Sequence, residues 1–177
     1  MSLGKQTIDT LKRLASDGPA AVAALAGSGD PSGSITVAAE TAEARIGIAD
    51  LDRFSIAFRT LDVRRAAASP GDPRNWLSAH AATLIRSLAF LEEPLAVWEL
   101  DGSERLAQLR SSPPQRDGDE VIYWEVALRL ADQPVATLAR YRWAPGMPER
   151  ERVDYPATFA LTGRMVAALE DGLADEP

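Results

Sequence analysis

The sequence predicts an α+β fold: one mainly antiparallel sheet of about six to seven strands with helices packed on one face, in the order α-β-β-β-α-β-β-β-β-α. Three observations carry this. Apolar residues recur at helical spacing near both ends and once in the middle of the chain, whereas the segments between them alternate with a period of two. Adjoining strand-like segments are joined by short turn signals, and short connections force antiparallel pairing.

Ile8, Leu11, Leu14 and Ala15 mark the first helix, which Asp17-Gly18-Pro19 ends before a short Ala-rich helical piece from Pro19 to Ala26. Gly27 to Gly33 reads as a loop, and residues 1–27 as a helical N-terminal arm of a single domain spanning 1–177. Three strands follow, around Ile35 to Ala39, Arg45 to Ala49 and Arg53 to Leu61, with Asp50-Leu51-Asp52 as a tight connection and Phe54, Ile56 and Phe58 as an inward row. Ser69 to Pro73 breaks the chain before a broad apolar stripe of Trp76, Leu77, Ala81, Leu84, Ile85, Leu88 and Leu91.

Leu95 to Leu100 and Glu104 to Arg110 flank Asp101-Gly102, a short hairpin signal. Cross-strand charge preference favours the register that sets Glu99 opposite Arg105 over the one that sets it opposite Glu104. Val121 to Leu130 and Val135 to Trp143 form a second hairpin. With Asp132-Gln133 as its turn, Trp124 faces Tyr141 and Ile122 faces Trp143 on an apolar side, while Glu125 faces Arg140 and Tyr123 sits beside Arg142 on the wet side. Asp154 is expected to cap the last helix, with Pro156 in its first turn and Phe159, Thr162, Met165, Val166 and Leu169 inward. Gly172 ends that helix, and Ala174 to Pro177 is an acidic tail expected to fray.

Composition excludes more than it assigns. The chain has 177 residues, 46% of them hydrophobic, and no Cys, so a disulfide, a thiolate metal site and a cysteine nucleophile are all ruled out. Its net charge of −7 disfavours nonspecific nucleic-acid binding, because phosphate backbones are repelled. No segment reaches the ~20 apolar residues of a membrane span, so a soluble, cytoplasmic protein is expected. Lys5 and Lys12 are the only lysines, and this bias towards Arg, with abundant Ala, suggests a high-GC bacterial coding sequence.

Few residues invite chemistry. His80 is the only histidine and reads as a helix residue at the edge of the core, hydrogen-bonded to a backbone carbonyl, more readily than as a general base; no nucleophile elbow accompanies it. The acid pairs Asp50/Asp52 and Glu92/Glu93 could work as general acid and base only if the fold brought them to a cleft, and Asp117 to Glu120 lacks the ligand ladder of a calcium loop. Gly27-Ser28-Gly29 follows a helix and lacks the Gly-Lys-Ser/Thr of a phosphate loop, so no cofactor is expected.

Two groups remain as a pocket or partner surface. Arg59, Arg64 and Arg65, with Arg53 and Arg74 nearby, concentrate positive charge that could hold an anion or pair with the surplus acids. Trp98, Trp124, Tyr141 and Trp143 cluster on the C-terminal strands and, with Trp76 and His80 from the central helix, could line an apolar pocket between helices and sheet.

In element order, the segment from Arg53 onward (strand, helix, four strands, helix) resembles the TATA-binding-protein-like and helix-grip architectures. The whole chain, with a leading helix, an acidic balance and three strands before a central helix, is similar in outline to type III secretion chaperones, with an added hairpin at Val121 to Trp143. That similarity implies a protein that binds extended partner segments as a dimer. The expectation is therefore a non-enzymatic binding or interaction protein, which could form a homodimer through an exposed strand or helix face. The alternative is a small-molecule-binding domain or modest enzyme with a pocket for an apolar or anionic ligand.

Overall fold

The computed structural model describes residues 1–25 and 33–175, so the Gly27 to Ser32 part of the expected loop and the last two residues lie outside the described residues. Its helices are α1 (Leu3–Asp17), α2 (Pro19–Leu25), α3 (Pro73–Ser87) and α4 (Phe159–Gly172). The seven main strands are β1 (Ser34–Ala38), β2 (Ala42–Leu51), β3 (Ser55–Arg65), β4 (Leu95–Asp101), β5 (Leu106–Ser111), β7 (Glu120–Leu130) and β8 (Pro134–Trp143). Three short strands join them: β6 (Gln115–Asp117), β9 (Glu151–Val153) and β10 (Tyr155–Thr158). All pair antiparallel in one open sheet, ordered β1-β2-β3-β8-β7-β5-β4, so the fold is α+β as the periodicity predicts.

Alternation explains which side is covered. Ala44, Ile46, Ile48, Ile56, Phe58, Leu61, Val63, Leu109, Val126, Leu128 and Leu138 are almost fully buried on the side where Leu77, Leu84 and Leu88 of the α3 region and Met165, Val166 and Leu169 of α4 pack. The opposite face of the sheet carries no helix among the described residues. The helix α1 is docked: Leu3 and Leu11 are wholly buried, and Gly4 and Gly163 let α1 and α4 approach so closely that a Cβ at Gly163 would lie 2.7 Å from the Gly4 carbonyl oxygen.

Between β3 and β8 the sheet forks. Residues 61–64 of β3 pair with β8, but residues 55–58 pair with β10, and the far end of β8 pairs with β9. The β9-β10 segment thus wedges open one end of the sheet. The expected helix start at Asp154 is therefore displaced: Tyr155 to Thr158 is a strand, and Thr158 caps α4 by accepting a hydrogen bond from the Leu161 N–H at 3.1 Å. Pro156 has no N–H to donate and suits the extended backbone of a short strand as well as a helix's first turn.

Three local expectations are also corrected. Phe54 is 73% exposed instead of inward, because Asp52 to Phe54 make the turn, the Asp52 carboxylate accepting the Phe54 and Ser55 N–H groups at 2.7 Å each. In the β4-β5 hairpin, Glu99 lies opposite Gln108, not Arg105 or Glu104. The Asp101 carboxylate caps the Ser103 and Glu104 N–H groups, and Arg105 adopts a positive φ of 55°, which makes a four-residue turn of 102–105. A bulge at Trp98 shifts the register again.

In the β7-β8 hairpin the turn is three residues long, closing at the Leu130↔Pro134 pair, so the register moves by one from that expected. Every β8 side chain then changes face. Trp124 lies opposite Arg140 on the covered side, Tyr123 opposite Tyr141 on the open side, and Glu125 opposite Ala139. Trp124 and Tyr141 do not share a face, and Glu125 and Arg140 are not an ion pair.

Candidate binding site

That one-residue shift decides the chemistry of both faces at the β7-β8 end of the sheet. On the covered side, Arg140 is 6% exposed, a position tolerable for a cation only if it is paired. Glu93, from the segment after α3, meets it with two hydrogen bonds of 3.1 and 2.9 Å, and Gln115 accepts a third at 3.0 Å. The guanidinium also lies 5.0 Å from the ring centre of Trp124. The neighbouring Glu92 accepts hydrogen bonds from Trp124 Nε1 at 2.9 Å and from the Tyr155 hydroxyl.

Burial alone would push the Glu92 carboxyl up. The bonds from Tyr155 and Trp124, with Arg140 nearby, prevail and hold it below the ordinary carboxylate range. Tyr155 is displaced the other way, to about 12, by burial first and by its bond to the Glu92 carboxylate second. The Glu92/Glu93 pair is thus brought together with other polar groups, but each carboxylate is committed to an internal partner. This cluster fastens the wedge strand β10 and the post-α3 segment to Trp124.

On the open side, β5, β7 and β8 present a different set. Glu125 is 4% exposed although no helix covers it. Arg110 from β5 donates from Nε at 2.8 Å, and Arg150, carried in by the loop between β8 and β9, donates to both carboxylate oxygens. Arg150 also donates to the Tyr123 hydroxyl at 3.2 Å and stacks 3.9 Å above Tyr141. Its bond to Glu125 outweighs burial and raises its pKa. Two guanidiniums therefore share one carboxylate.

Beside this cluster a cleft of about 370 Å³ opens on the same face. Trp98, Tyr123 and Trp143 supply aromatic walls, Pro114 and Val121 further apolar surface, and Arg110 and Arg116 the cationic groups. Trp98 is 68% exposed, projecting from the bulge in β4, with the Arg110 guanidinium 4.9 Å from its ring centre. Arg116 makes no ion pair among the described residues. Apolar walls with a few converging polar groups are the usual make-up of a small-ligand site.

The residues singled out from sequence end up apart. Trp98 and Trp143 line the cleft, Tyr141 lies near it beneath Arg150, and Trp124 is buried on the other face. Trp76 stacks on His80 at 3.8 Å on α3, and His80 Nδ1, 2.8 Å from the Gly172 carbonyl, carries its proton there and donates it to α4. Arg59 pairs with Asp154 at 3.0 Å, Arg65 lies 4.0 Å from Glu170 of α4, and Arg64 lines a polar depression with Glu43, Arg45 and Asp62 at the β1-β3 end. They do not converge. The Arg110-Glu125-Arg150 cluster was missed, as was Arg116 in the cleft lining, since no local spacing relates residues brought together only through strand order and a returning loop.

Among the described residues no group of three or more His, Asp or Glu side chains could hold a metal, and no helix is long and apolar enough to cross a membrane. The architecture and the cleft define an α+β chain with an uncovered aromatic and arginine-rich sheet face. The chain matches no family model, and no curated protein or solved structure is significantly similar to it, so neither the helix-grip nor the secretion-chaperone outline has a matched relative behind it.

Proposed function

We propose that this is a binding protein, not a catalyst, whose site is the cleft beside Trp98 on the uncovered sheet face. The observation that carries the reading is the coincidence of exposed aromatic walls with cations left without a full complement of carboxylates, in a chain whose net charge is −7. Catalysis finds less support, because the groups suited to acid–base work, His80 and the Glu92/Glu93 pair, are held by internal partners. Its negative charge disfavours nucleic acid as the ligand.

A thermal-shift screen over small amphipathic anions and neutral compounds tests this, run on wild type and on Trp98→Ala. A ligand that raises the melting temperature of wild type and not of the variant supports the cleft. Ligands that act equally on both place the site elsewhere.

A contact between protein chains along β4 is a second reading with its own support. This seven-residue strand ends the sheet, contains no Lys, Arg or Pro to discourage pairing, and leaves Val97 49% and Trp98 68% exposed. Light scattering separates it: a concentration-dependent dimer that Val97→Lys abolishes favours the edge.

A further inference from the structure

Resting on that reading of the cleft, we propose that its ligand is a small aromatic monocarboxylate: a flat ring against Trp98 and Trp143, with one carboxylate on Arg110 and Arg116. The apolar part follows from the walls, since Trp98 and Trp143, 68% and 39% exposed, offer aromatic surface that is best covered by another flat apolar surface. The anionic part follows from charge. Arg110 and Arg150 divide the single carboxylate of Glu125, and Arg116 has no acidic partner among the described residues, so the cleft holds surplus positive charge before any ligand enters. Guanidinium groups bind a carboxylate well because their planar N–H forks match its two oxygens.

The charges of the lining match one negative charge, and its volume a small ligand. Of the two arginines in the lining, Arg110 already pairs with Glu125, and Arg116 has no acidic partner among the described residues, so one guanidinium is left for a ligand to neutralise, which a single carboxylate does. The cleft's volume of about 370 Å³ also lies at the lower end of small-molecule sites.

The experiment is calorimetric titration of the full chain with 1-naphthoate, alongside 1-naphthalenemethanol as the uncharged analogue, 1-naphthyl phosphate as the dianion and a blocked Glu-Trp-Glu peptide. Saturable 1-naphthoate binding is expected, weakened about tenfold or more by Trp98→Ala and by Arg116→Ala, with the alcohol, the phosphate and the peptide each about tenfold weaker on wild type. Both substitutions are at solvent-facing side chains outside the core, and unchanged circular dichroism shows that the variants fold.

Absence of saturable 1-naphthoate binding at millimolar concentration overturns the proposal, as does equal binding by wild type and both variants. If the alcohol, phosphate or peptide binds as tightly as 1-naphthoate in a Trp98-dependent manner, the monocarboxylate class falls while the cleft stands. If no probe depends on Trp98, both fall.

Discussion

Arg140 is held inside the protein by Glu93, and removing one member of such a buried pair strands the other without water. Glu93→Ala is expected to destabilise the fold by about 3–5 kcal/mol, measured by urea denaturation, whereas the same substitution at Glu151, whose bond to Arg142 lies in solvent, costs at most about 1 kcal/mol. Glu92 and Tyr155 add a pH dependence at both ends of the scale. Because the Glu92 pKa is lower in the fold, its stabilising contribution is present above the ordinary carboxyl value of 4.5 and is lost as the pH falls below it and through the lowered folded-state value. Because the Tyr155 pKa is raised, its contribution is present below the ordinary value of 10.0 and is lost as the pH rises towards about 12. Tyr155→Phe should flatten both limbs in chemical-denaturation curves taken across pH, since the hydroxyl that titrates is the one that holds Glu92. At this scale little was legible: Glu92 and Glu93 stood out only as adjacent acids, and Arg140 was assigned the wrong partner, because partners distant in the chain are chosen by register.

Among the elements, α1 and α4 illustrate a contact that depends on what is absent. A Cβ at Gly163 would press on Ile8 Cγ1 at 2.5 Å as well as on the Gly4 carbonyl, so Gly163→Ala should force the helices apart. We expect a loss of about 1–3 kcal/mol by thermal or urea unfolding, despite the better helix propensity of Ala. Helices and main strands were legible here because their burial pattern repeats locally: Leu77, Ala81, Leu84 and Leu88 follow a helical period, and Val126, Leu128 and Leu130 a period of two. The short β9 and β10 were not. Tyr155 to Thr158 contains too few residues to show a period, and it is a strand because residues 55–58 of β3 offer it a free edge.

For the molecule as a whole, α1 closes the core instead of hanging from it. Leu3 and Leu11 are both fully buried, each worth about 1.5–3 kcal/mol, which is a large share of the roughly 5–15 kcal/mol that holds a domain folded. Deleting residues 1–17 should therefore abolish cooperative unfolding and expose dye-binding apolar surface, readable by calorimetry and by fluorescence. Fold class, the covered side of most strands and the exclusion of cysteine chemistry were determined by the amino-acid order alone, since each depends on residue type or on spacing within one element. Strand order, the fork that admits β10, and the face on which every β8 side chain lies were decided only in three dimensions. A hairpin turn of two or three residues differs little in local energy, yet the choice moves Arg140 from solvent to the interior and sets Tyr141 on the open face beneath Arg150.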